Sequence, residues 1–225
     1  MTKRRNGWTV LQIVTHVGAL VPLLWIVWDI WQGNMALLIN PFQDVTFRTG
    51  KAALILLLLS LAVTPVNIVF GWRRVIPLRK PLGLYAFMYG RLHFTFFVVD
   101  NGYVSGSVDL YAVYAATFEK RFALVGFAAL MILLPLAITS NRWAMRQFKK
   151  NWKRLHRLVY LAGILVIIHF VWLVKSDIRE PLVYGAILAI LLVLRIPPVR
   201  RSVASWRSRR KRRNGSAVAD STQGA

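Results

Sequence analysis

A chain of 225 residues that is 56% hydrophobic, with a mean hydropathy of +0.50, is too apolar for a water-soluble domain of its size. Its formal net charge of +22 would suggest nucleic acid if the chain were soluble, but the distribution of the cations between apolar stretches makes the charge a topology signal first. It has no cysteine, which excludes thiolate-bound clusters, thioether-attached cofactors and disulfides.

Six stretches are long enough, or nearly so, to cross a bilayer at about 1.5 Å rise per residue. They are Val10–Ile30, Ala52–Phe70, Leu82–Val99, Phe122–Ile138, Leu158–Val174 and Leu182–Leu194. The first lacks a small-residue cleavage site and exceeds the usual apolar core of a signal peptide, so it is read as a span. The sixth is short, and a snorkelling Arg195 extends it. Thr64-Pro65 and Pro135 predict kinks in the second and fourth helices. Pro81 and Pro181 suit the first turns of the third and sixth. The segments 31–51 and 100–121 are long enough for short interfacial helices, one of them over residues 111–118.

Charge sets the expected topology. If six helices alternate, 23 of the 30 basic residues fall on one side with a single acid, Asp220. They cluster at Lys3–Arg5, Arg73–Lys80, Arg142–Arg157 and Arg195–Arg213. The other side holds Asp29, Asp44, Asp100, Asp109, Glu119, Asp177 and Glu180. Basic loops stay in the cytoplasm. The fold class expected is therefore an all-α integral membrane protein, a six-transmembrane-helix bundle with both termini cytoplasmic. Residues 1–9 form the cytoplasmic N-terminus, 10–194 the membrane domain, and 195–225 a basic tail expected to be disordered against anionic headgroups.

Ionisable side chains inside a span are costly and point to function. His93 lies seven residues before Asp100, and His169 six before Lys175, at the same ends of the third and fifth spans. Both therefore sit about 9–10 Å from one membrane boundary. Two imidazoles at equal depth on parallel helices are what a membrane haem needs, one on each face of the iron. With no cysteine, that haem is b-type. A single membrane histidine would more often hydrogen-bond a neighbouring helix; the matched depth favours ligation.

His156 lies 13 residues, about 20 Å, before His169. It is left as a ligand of a second haem, a flavin or quinone contact, or an interfacial histidine. His16, on the same side, is a weaker candidate ligand. Arg91 is assigned as an interior charge partner, for instance of a haem propionate, although it points about 200° from His93. Phe87, Phe94, Phe96, Phe97, Tyr160 and Phe170 are candidates for packing a porphyrin.

Several segments resemble the MsrQ (YedZ) family of the ferric-reductase-like transmembrane group. They include Thr49-Gly50-Lys51-Ala52-Ala53-Leu54, Arg79-Lys80-Pro81-Leu82-Gly83-Leu84 and Leu92-His93. Further on come Trp152-Lys153-Arg154-Leu155-His156, Tyr160, Ile168-His169-Phe170 and Pro181-Leu182-Val183-Tyr184. The likeness covers about residues 8–200. It implies that His93, His169 and His156 are haem-linked, with one haem b or two, and FMN as a further cofactor. It also implies an electron-transfer subunit in a bacterial inner membrane, which takes electrons from the quinone pool or a cytosolic flavin reductase. The acceptor would be the periplasmic molybdenum-containing MsrP, which repairs oxidised methionine in envelope proteins. Two other readings stay open at this point: a ferric-reductase-like cytochrome b with another acceptor, and a cofactor-free transport or assembly protein.

Overall fold

A computed structural model of the chain describes residues 9–33, 41–104, 107–174, 177–203 and 205–207. Of the basic tail 195–225 expected to be disordered, residues 197–203 and 205–207 are helical, a correction to that expectation, while residues 208–225, like most of the N-terminal segment, lie outside the described residues. In chain order the long helices are α1 (Val10–Trp31), α2 (Pro41–Phe70) and α3 (Arg79–Gly102). A two-stranded ribbon, Tyr103–Val104 with Ser107–Val108, leads to the short α4 (Leu110–Tyr114) and a π turn, Ala115–Glu119. Then come α5 (Arg121–Ile138), α6 (Arg142–Leu155), α7 (Leu158–Leu173) and α8 (Arg179–Val193).

The all-helical membrane fold is as expected. Four helices are long and apolar enough to cross a bilayer: α1, α2, α5, and α3 with the turn before it. Up to six do if each of two bent pairs is one span, the first being α6 with α7 at 47°. The second pairs α8 with the helical stretch after it at 80°, because α8 alone has only 15 residues. The short helix expected over 111–118 is present as α4 and its π turn.

Two segments read as loops are helical. α2 begins at Pro41 rather than Ala52, and its first turns are held by ion pairs. Arg48 bonds Asp29 of α1 and sits 2.7 Å from Asp44, and Lys51 lies 2.6 Å from Glu180 of α8. The basic segment Arg142–Leu155 is α6, capped by the Asn141 side chain on the Ala144 amide at 2.7 Å. Its cations alternate with exposed Trp143 and Phe148, the pattern of a helix lying in the interface. Its backbone breaks at Lys149, where φ is +45°.

α2 is the centre of the bundle. Half of its most apolar window is buried, against 11–22% for the other three long helices. Leu54, Leu57, Leu58 and Leu61 are buried between α3 on one side and α7 and α8 on the other. Tyr89 of α3 is fully buried and donates its hydroxyl to the Ala19 carbonyl at 2.8 Å, docking α1. Most remaining apolar side chains of α1 face outward, which water would penalise and lipid does not.

Arg195 ties the far end together. Its guanidinium bonds the Tyr160 hydroxyl at 2.6 Å and the Leu61 carbonyl, and stacks 5.1 Å from the Tyr160 ring centre. Charged hydrogen bonds contribute about 1.5–3 kcal/mol each. Arg195→Ala should therefore lower the thermal midpoint of detergent-solubilised protein by several degrees, at about 2–4 °C per kcal/mol for a chain of this size. Arg195→Lys should recover only part, because one ammonium cannot span both acceptors. An unchanged midpoint in Arg195→Ala would contradict this role.

Candidate functional site

Two helix pairs build the same device twice. In the first pair, α3 leans on α2 and the Nδ1 of His93 lies 2.7 Å from the Thr46 carbonyl oxygen. In the second, α7 leans on α5 and the Nδ1 of His169 lies 2.7 Å from the Phe122 carbonyl oxygen. The spacing is 47 residues in both cases. A carbonyl can only accept, so each imidazole carries its proton on Nδ1 and donates it there. Nε2, the opposite nitrogen, is left with its lone pair free, and neither Nε2 has a hydrogen-bond partner among the described residues.

Each of these carbonyls already serves its own helix. An imidazole can reach its second lone pair only if the side chain one turn on is absent. That position is Gly50 in α2 and Gly126 in α5. A Cβ on Gly50 would lie 2.8 Å from the His93 Nδ1, and one on Gly126 would lie 2.6 Å from the His169 Nδ1. The carbonyl, the glycine four residues later and the histidine 47 residues later form one unit, used twice.

The two units bring the His93 and His169 rings close to each other. Their ring centroids are 6.0 Å apart and their planes nearly perpendicular, at 85°. A nitrogen of imidazole binds a first-row metal ion at about 2.0–2.1 Å with the ring centre about 1 Å further back. Two imidazoles on opposite faces of one iron therefore have centres about 6–6.5 Å apart. The observed spacing fits one iron between them. Among the described residues no group of three or more His, Cys, Asp or Glu side chains converges. The in-plane donors would have to come from the ligand, as a porphyrin supplies them.

Both histidines line a cavity of about 600 Å³, within the range of cofactor sites. Its deep part is apolar, with Leu54, Leu57, Ala86, Leu130, Leu133 and Val166. Its aromatic wall includes Phe94 and Phe127, with ring centres 5.3 Å apart. Its other end is polar and carries Gln43, Arg48, Lys51, Asn101, Lys120 and Glu180. Of the aromatic residues expected to pack a porphyrin, Phe94, Phe97 and Phe170 line this cavity. Phe87, Phe96 and Tyr160 do not; Phe96 packs on Ile26 and Val45, and Tyr160 holds Arg195.

His156 is placed elsewhere. It caps α6 at the break before α7, stacks on Trp152 with ring centres 4.0 Å apart, and its Nε2 lies 3.2 Å from the Thr139 hydroxyl. Trp152 in turn donates to the Thr139 carbonyl at 2.9 Å. Arg79, not a histidine, is its charged neighbour at the start of α3. His16 packs on Tyr85, 2.9 Å from its hydroxyl. Arg91 does not meet the cavity. Its side chain is exposed on the opposite side of α3 and lines no part of the site, as its 200° offset from His93 requires. The cations at the cavity are Arg48, Lys51 and Lys120, which sequence reading passed over as loop charges.

A family model described as the ferric reductase like transmembrane component matches residues 49–168, which run from within α2 through α3, α5 and α6 into α7 and end one residue before His169. A protein of Xanthomonas axonopodis pv. citri is 42% identical over 204 residues, covering 87% of this chain and 90% of its own length. A protein of Bordetella pertussis is 39% identical over 205 residues, covering 86% of this chain and 93% of its own. Both are named protein-methionine-sulfoxide reductase heme-binding subunit MsrQ. The chain belongs to the MsrQ family, within the ferric-reductase-like transmembrane group. No solved structure matches it.

Proposed function

We propose that this chain is the haem b-bearing membrane subunit of a methionine sulfoxide reductase system, a one-electron conduit and not a self-contained catalyst. The observation that carries the reading is the His93–His169 pair, 6.0 Å between ring centres with both Nδ1–H groups tied to backbone. When bound, the haem supplies the one-electron redox chemistry. The chain's own contribution is to hold two neutral imidazoles in fixed tautomers, wrap the porphyrin in Leu, Val and Phe side chains, and keep water from the iron. Held by both His93 and His169, the haem would have no position open to oxygen, so the site would suit electron transfer better than oxygen chemistry.

In this reading the chain sits in a bacterial inner membrane with six spans and both termini cytoplasmic, as the basic segments suggest. Electrons come from the quinone pool or a cytosolic flavin reductase and leave to a periplasmic MsrP. The His93–His169 site lies at the acidic end of the bundle, the end proposed to face that partner. FMN enters by family resemblance, with no residue assigned to it. The pair at His93 and His169 supports one haem. His156 meets Thr139 at its Nε2 and Arg79 beside it, which supports a role other than pairing with an imidazole on a second iron.

The test is a reduced-minus-oxidised visible spectrum of protein purified from haem-replete cells. Low-spin b-type bands at one haem per chain are expected. Absence of those bands would favour a cofactor-free membrane protein instead. His156→Ala separates the proposed roles further. It should keep the His93–His169 haem and its spectrum while slowing reduction by a quinol analogue at least several-fold. Unchanged reduction kinetics would remove His156 from the path.

A further inference from the structure

The cavity has one polar end, and three cations line it. Two are already matched. Arg48 is engaged by Asp29 and Asp44, and Lys51 lies 2.6 Å from Glu180. Lys120 has no carboxylate partner among the described residues. Its contact is the Asn101 side-chain oxygen at 3.3 Å, long for a charged hydrogen bond. It stands at the N-cap of α5, two residues before Phe122, whose carbonyl holds His169. The opposite end of the cavity offers only Leu, Ala and Val side chains. A carboxylate pushed there would be buried and unpaired, at a cost of several kcal/mol.

We propose that Lys120 is the counter-ion of a haem propionate, so that the carboxylate edge of the porphyrin faces the acidic end of the bundle and its hydrocarbon edge faces Leu133 and Val166. The inference rests on the haem-binding reading above and adds the orientation of the ring and the residue that sets it. Asp100 lines the same end and opposes a propionate, which makes an unmatched cation there more necessary. The same turn of chain then fixes both the axial ligand, through Phe122, and the ring's rotation about the iron axis, through Lys120.

Removing the positive charge leaves the propionate's charge uncompensated, which favours ferric over ferrous iron. The experiment compares purified wild type, Lys120→Gln, Lys120→Glu and Lys120→Arg, with Arg91→Gln as a charge-loss control outside the cavity. The readouts are haem stoichiometry, one-electron potentiometry and the propionate bending bands in the resonance Raman spectrum. Lys120→Gln should keep bis-imidazole haem yet raise the ferric-to-ferrous ratio at fixed ambient potential about threefold. Lys120→Glu should raise it about tenfold, equivalent to about 59 mV for one electron. Both should move the propionate band, and Lys120→Arg should restore band and potential. Wild-type potential and propionate band in haem-loaded Lys120→Glu would overturn the proposal, as would an equal shift in Arg91→Gln. Wild-type protein that binds no haem at all would overturn the parent reading along with it.

Discussion

His93→Ala and His169→Ala should each yield protein that folds into the membrane but retains under about a tenth of the wild-type haem, with the low-spin spectrum gone. Even an outer hydrogen-bond partner of a metal-bound histidine is worth about 10–100-fold in affinity, and the ligand itself is worth more. An iron held by this pair would have no spare donor, since no further His, Cys, Asp or Glu joins the pair among the described residues. Truncation also opens a hole of imidazole size beside a rigid carbonyl. Imidazole added to His93→Gly or His169→Gly should therefore fill that hole and bring back a low-spin signal. Pyridine haemochrome stoichiometry and the Soret maximum are the measurements. A wild-type spectrum in both alanine variants would mean that neither residue is an axial ligand.

How far the sequence shows this site depends on which relation is asked of it. Equal depth of His93 and His169 follows from counting along two parallel helices, and the structure puts their ring centres 6.0 Å apart. α1 and α5 end within a residue of where hydropathy alone places them. The start of α2 was hidden because Asp44, Arg48 and Lys51 look like loop chemistry. They are helical because their partners, Asp29 and Glu180, lie on other helices, and pairing across chain distance is invisible to a window of residues. α6 was hidden for the opposite reason. Its cations read as a cytoplasmic loop, while Trp143 and Phe148 mark the helix face that meets lipid. Arg91 drew attention because a charge mid-span is costly, yet its direction from the helix axis takes it away from the site. Lys120 drew none, because a lysine at a helix start is ordinary until a cavity is seen beside it.

Gly126→Ala should be the most damaging glycine-to-alanine substitution for haem binding among the described residues, with Gly50→Ala close behind. In an isolated helix either change would stabilise, since alanine is favoured over glycine by about 0.5–1 kcal/mol. Here the added methyl carbon would come within 2.6 Å of the His169 Nδ1, or 2.8 Å of the His93 Nδ1. Those distances are about 1 Å inside ordinary contact, so the imidazole must swing away and give up its 2.7 Å bond to the Phe122 or Thr46 carbonyl. The ring then loses both its tautomer and its aim, and haem affinity should fall about 10–100-fold. The two effects have opposite signs, which makes the experiment discriminating. Haem-free Gly126→Ala should be as thermostable as haem-free wild type or slightly more so, while its haem occupancy collapses. Gly18→Ala is the control, because a Cβ there meets nothing within 4 Å. If Gly126→Ala binds haem like wild type, the glycine gap is not what lets the imidazole reach its carbonyl. If it loses haem and helix stability together, the substitution has damaged packing in general and the assigned role fails.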